Sequence, residues 1–120
     1  MELNYFLNNG KQVAELISND VTITTVQDAL DLLGNADYNC ANDIITYENN
    51  YSPDFFNLST KLAGEILQKF VTYYKRLAIV GEFSKYTSNS LNAFIIECNR
   101  GNNIFFVNSK EEALRKFGGS

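Results

Sequence analysis

Two short runs limit what this chain can become: Leu77-Ala78-Ile79-Val80 and Ile104-Phe105-Phe106-Val107 are apolar at every position. A strand with one face in water alternates apolar and polar residues, whereas a strand covered on both faces is apolar throughout, as in parallel sheets flanked by helices. The segments around these runs keep helical spacing. Val26, Ala29, Leu30 and Leu33 recur at i, i+3, i+4 and i+7, and Leu62, Ala63, Ile66, Leu67 and Phe70 do so over 60–73. Leu91, Phe94, Ile95 and Cys98 mark a third helix, and Ala113, Leu114 and Phe117 a fourth. Strands alternating with helices imply right-handed crossovers and a mainly parallel sheet.

The N-terminus departs from that rule. Leu3, Tyr5 and Leu7 alternate, Asn9-Gly10 suits a two-residue turn, and 11–18 supplies a return strand, so the chain opens with a hairpin. Residues 43–48, rich in β-branched side chains, form the third strand. The expected fold is α/β: an N-terminal β-hairpin, then alternating βα units, giving a mainly parallel five-stranded mixed sheet with helices largely on one face. If successive strands are neighbours, every crossover helix falls on that face. The other face then needs a cover: the N-terminal segment, a bent sheet edge, or a second subunit in a homodimer.

Helix ends are marked locally. Thr24 with Gln27 makes a capping box for the first helix, whose end lies near Gly34, and Ser109 with Glu112 makes one for the last. Gly64 inside the second helix costs up to ~1 kcal/mol of propensity relative to Ala. Gly101 reads as a left-handed residue just past the third. With 120 residues the chain is long enough for one domain, assigned to 1–117 with 118–120 as a flexible tail.

Composition then excludes function classes. A net charge of −4, with ten Lys and Arg spread along the chain, leaves no basic stripe for nucleic acid. No apolar run approaches the ~20 residues of a membrane span. Cys40 and Cys98 lack CxxC spacing and sit beside apolar residues, which suits small buried thiols in a reducing cytoplasm; spacing alone leaves a bridge between them open. The chain has no histidine, which removes the commonest general base, the His-dependent triads and most catalytic zinc sites. Without a glycine-rich phosphate loop either, no cofactor and no metal are expected, and the reading is non-catalytic.

Three places remain where function could sit. Ser59 and Thr60 stand at the mouth of the second helix, where a hydroxyl caps free N–H groups; the same dipole end favours a bound anion or an attached phosphate, making both residues candidate phospho-acceptors. Glu48 and Glu82 follow the third and fourth strands, at the carboxyl edge where α/β folds collect ligands. Lys85 and Tyr86 follow in the polar stretch 83–90, where Ser88 or Ser90 caps the third helix, and Asp54 could join the acids. Tyr51, Phe55 and Phe56 flank the longest connection and either pin it to the core or mark a binding surface.

The strings NADY at 35–38, PDFF at 53–56, LSTKLAGEILQKF at 58–70, LAIVGEFSKYTSNSL at 77–91 and NRG at 99–101 resemble an uncharacterised bacterial family of unknown function, over nearly the whole chain. In topology the chain is similar to STAS and SpoIIAA-like domains, the fold of anti-sigma-factor antagonists. That likeness implies a regulatory or protein-interaction module with a protein partner and a switch hydroxyl near Ser59 or Thr60. Here about ten residues, including Pro53, separate the strand end at Glu48 from Ser59, where the antagonists pass almost directly into an Asp-Ser pair. The alternative is a small-ligand-binding protein or small enzyme using the carboxyl edge of the sheet.

Overall fold

The computed structural model describes residues 1–118. Strand β1 (Leu3–Asn8) turns through Asn9 and Gly10, with φ of 53° and 80°, into β2 (Lys11–Leu16). Positive φ at both central residues is the type I′ geometry that matches strand twist. Helix α1 (Val26–Tyr38) starts one residue later than expected. Thr25 accepts from the Asp28 N–H at 3.1 Å, and the Asp28 carboxylate accepts from the N–H groups of Thr24 and Thr25. Gln27 is left to bond Asp31. The helix continues past Gly34 and closes with Cys40 at a φ of 61°, its N–H on the Asp37 carbonyl and that of Ala41 on Ala36.

Strand β3 (Asp43–Tyr47) leads into three 3₁₀ turns, Glu48–Asn50, Pro53–Phe56 and Leu58–Thr60. Helix α2 (Leu62–Thr72), strand β4 (Arg76–Val80), a 3₁₀ turn at Phe83–Lys85, helix α3 (Asn89–Arg100), strand β5 (Ile104–Val107) and helix α4 (Lys110–Gly118) complete the chain. Gly101 is extended, with φ −86° and ψ −167°, so α3 ends without the expected left-handed residue. Ser109 does accept from the Glu112 N–H at 3.1 Å, but the Glu112 carboxylate takes the N–H of Asn108. Residues 119–120 of the expected tail lie outside the described residues.

The sheet order is β1-β2-β3-β4-β5, with β1 antiparallel to β2 and every other pair parallel. Ala14, Ile44, Leu77, Ile79 and Phe106 point to one face, against buried residues of α1 and α2 and against α3. Val13, Ile45, Ala78, Phe105 and Val107 point to the other, against Ala113 and Phe117 of α4. The second face is therefore covered by the chain's own last helix. Because α4 follows the last strand, no parallel crossover dictates its side, and the apolar β5 residues draw it to the uncovered face.

Charged groups close the amino end of the sheet. Arg76 grips Asp43 through two bonds of 2.7 and 2.8 Å and also donates to the Phe117 carbonyl, tying α4 to the strand starts. Lys75, buried, donates to Asp37, Asn42 and the Ala41 carbonyl. Cys40 is exposed at this end, contrary to its expected burial, while Cys98 is half-buried on α3 and both thiols are free. Burial, with Glu97 nearby, pushes the Cys98 thiol up to about 11.

Candidate functional site at the carboxyl end of the sheet

Parallel pairing of β3 with β4 sets Tyr47 opposite Val80, so the chain leaves both strands side by side. Glu48 is the first residue beyond β3, and its side chain turns toward the 81–86 segment beyond β4. Its Oε1 accepts from the Glu82 N–H at 3.1 Å. Its Oε2 accepts from the Tyr86 hydroxyl and pairs with the Lys85 ammonium at 2.7 Å. The contact depends on Gly81, where an added Cβ would lie 2.6 Å from the Glu48 Cβ. Sequence reasoning had no signal for that requirement, since the glycine has no positive φ and simply makes room.

These partners set the charge state. Burial raises the Glu48 pKa, but the bonds from Lys85, Tyr86 and the Glu82 N–H, with the Lys85 charge, outweigh it and leave the carboxyl below its ordinary value. Burial and the Glu48 carboxylate push the Tyr86 phenol up. At neutral pH the acid carries no proton to give, three of its four acceptor positions are taken, and the phenol keeps its proton. Such a group anchors and attracts; it is a poor general acid or base. Glu82 does not meet Glu48 through its carboxylate, as its neighbouring position suggested; it contributes its backbone N–H and binds Ser84 with its side chain.

The wall above Glu48 is aromatic. Phe56 stacks on Tyr86 with centroids 5.2 Å apart and planes 20° off parallel. Tyr51, buried and bonded to Thr46 at 2.8 Å, packs on Phe55 at 4.3 Å. Phe83 meets Phe106 edge-on and joins the same cluster to the core. The long connection is thus pinned inward by Tyr51 and Phe55, while Phe56 stays half-exposed. Buried Asn50 fixes the opposite rim: its side chain bonds the Tyr47 N–H and the carbonyls of Ser18 and Asp20, and its carbonyl accepts from Thr22 and Ile23. Asn50 was not singled out from sequence, because one more Asn in a polar stretch carries no mark of burial.

Between these walls lies a cavity of about 500 Å³, lined by Asn19, Asp20, Val21, Glu48, Asn49, Tyr51, Pro53, Phe56 and Tyr86. That volume falls within the range of small-molecule sites, about 300–1,000 Å³. Its oxygens come from Glu48, Asp20 and amides, and its flat surfaces from Phe56 and Tyr86.

Ser59 and Thr60 lie apart from this lining. They occupy the third 3₁₀ turn, and Lys61, at a φ of 67°, separates them from α2. Ser59 is exposed and, among the described residues, its hydroxyl bonds only Asn57, at 2.7 Å. The Thr60 hydroxyl is held by the carbonyls of Asp54 and Asn57 and accepts from the Leu62 N–H at 3.3 Å, so it caps the entry to α2 at one remove. Asp54 enters through that carbonyl. Ser88 caps α3, accepting from Leu91 at 3.2 Å, and Ser90 is inside the helix.

Besides Asp43, a second buried acid that went unmarked in the sequence is Glu15. It lies on the α4 face, bonded by the Tyr47 hydroxyl at 2.5 Å and by Lys110 at 2.9 Å. Its position inside the apolar stretch Val13–Leu16 was the available signal. Among the described residues no group of His, Cys, Asp and Glu is placed to hold a metal ion, and no helix is long and apolar enough to cross a membrane.

No curated protein matches the chain, and no solved structure does. A family match, to Domain of unknown function (DUF4180), covers residues 8–117, from the end of β1 into α4. Spanning most of the chain and both strand ends that carry the cavity, it shows that the protein belongs to the DUF4180 family.

Proposed function

We propose that this domain is a non-catalytic binding module whose ligand site is the cleft at the carboxyl end of the sheet. The observation that carries the reading is the Glu48 carboxylate, ionised and largely withdrawn from water, set in the wall of a cavity beside the stacked rings of Phe56 and Tyr86. Those surfaces fit a small organic molecule with a flat apolar part and a positive charge or hydrogen-bond donor: the ring faces take the first and the Glu48 and Asp20 oxygens attract the second. Titrating benzylamine into ¹⁵N-labelled protein should shift the amides of Asn49, Phe56 and Tyr86 in a saturable way. Absence of shifts, or shifts confined to the amino end of the sheet, would overturn the reading.

A regulatory role resembling that of STAS domains has its own support at Ser59. An exposed hydroxyl with one side-chain partner is open to a kinase, and phosphate there would add up to two negative charges beside Lys61 and the loop carrying Phe56. Thr60, held by two carbonyls, is the poorer acceptor. Intact mass and phosphosite mapping of protein purified from its own cells should place a phosphate on Ser59. An unmodified chain retained under conditions that phosphorylate other proteins would remove this second reading and leave the first intact.

A further inference from the structure

The two outer edges of the sheet are finished differently. At β5 the outward backbone of Phe106 is occupied: its N–H donates to the Asn99 side-chain oxygen at 2.8 Å and its carbonyl accepts from the Asn99 amide at 3.2 Å. A side chain from α3 thus takes the place of a neighbouring strand. Nothing among the described residues does this at β1. The Ile17 N–H bonds the Glu2 carbonyl at 3.0 Å, and the Asn8–Lys11 pair closes the hairpin. Alternation along an antiparallel ladder then makes Glu2, Asn4, Phe6 and Asn8 the inward-bonded residues. The N–H and carbonyl groups of Leu3, Tyr5 and Leu7 point outward. The strand LNYFLN carries no charge, proline or bulge, the usual devices that keep an edge from pairing. Leu7, expected on the covered face, is 69% exposed because α1 reaches only as far as Tyr5, whose hydroxyl donates to the Asn35 carbonyl.

We propose that the β1 edge pairs antiparallel with β1 of a second copy, joining two sheets into one of ten strands about a twofold axis at Tyr5. The outward groups select this register. Centred on Tyr5, Leu3 faces the second copy's Leu7 and each Tyr5 faces the other, so all the outward groups of the three residues find partners and both exposed Leu7 side chains gain an apolar neighbour. Charge agrees with the same alignment. Glu2 faces Asn8 of the second copy, whose own neighbour in the hairpin is Lys11. Glu2 and that Lys11 lie on one face, two strand spacings or about 10 Å apart, within reach of their long side chains. The symmetry makes the contact twice. A second copy therefore matches this edge in hydrogen bonding, apolar contact and charge.

The test is sedimentation velocity over a concentration series on the whole chain. The wild-type protein should sediment as a dimer at high concentration. Leu7→Lys should be monomeric throughout with an unchanged circular dichroism spectrum, since Leu7 is exposed. Glu2→Lys should weaken the dimer about tenfold, and Glu2→Lys combined with Lys11→Glu should restore it, which a contact elsewhere would not do. A wild-type protein monomeric at every concentration overturns the proposal. So does a dimer indifferent to Leu7→Lys.

Discussion

Asp43 and Arg76 meet at the amino end of the sheet, Glu48 and Lys85 at the carboxyl end, and the two pairs differ in what surrounds them. The first is bidentate and closed by the Phe117 carbonyl, so strand starts and last helix become one clasp. The second brings together a half-buried acid and an exposed lysine, with a phenol and a backbone N–H as further donors and one acceptor position left, and it borders an aromatic-walled cavity. Similar charges thus clasp the sheet at one end and border an open cavity at the other. A cavity of about 480 Å³ also opens at the amino end, but the Asp43 and Arg76 in its lining already satisfy each other and no aromatic pair stacks across it. Of the two pairs, only Glu48–Lys85, itself not buried, has stacked rings beside its cavity among the described residues.

Breaking the clasp should have the largest effect. Arg76→Ala leaves the Asp43 carboxylate buried and unpaired and frees the Phe117 carbonyl, which should cost about 3–5 kcal/mol in urea unfolding. Arg76→Met with Asp43→Asn should cost less than Arg76→Ala alone, because no unpaired charge remains. Glu48→Gln comes next. It keeps the shape but loses charge-assisted bonds to Lys85 and Tyr86, for about 1–3 kcal/mol by the same measurement.

Acid should shrink the difference between wild type and that variant. The folded pKa of Glu48 is depressed, so its contribution is fully present above the ordinary carboxyl range and is lost as pH falls through the folded value. Glu15 and Asp28 are depressed too, so both proteins lose stability in acid, but the gap between wild type and Glu48→Gln should narrow as pH drops. A gap that widens would contradict the assignment. Lys85→Ala should be the mildest change, about 0–1 kcal/mol, since its side chain is more than half exposed.

Much of this architecture was legible because it rests on local rules. Asn9-Gly10 permits a turn few other pairs allow, and the two unbroken apolar runs imply cover on both faces. Glu48, Lys85 and Tyr86 could be brought to one edge because neighbouring parallel strands end together. What stayed hidden depends on the path of the chain through space. The side chosen by α4, the closing of the β5 edge by Asn99, the burial of Asn50 and the space Gly81 makes for Glu48 are each decided by a neighbour far along the chain. Nearby errors were of register: the first cap fell on Thr25 instead of Thr24, and the second helix began after Lys61 instead of at the hydroxyls.

The most direct test of the carboxyl-end site is calorimetric titration of benzylamine into the wild-type protein, Phe56→Ala and Lys11→Ala. Loss of one stacked ring should weaken binding about tenfold or more, while the amino-end change should leave affinity within about twofold. Equal affinities for all three, or a loss only with Lys11→Ala, would contradict the assignment of the cleft.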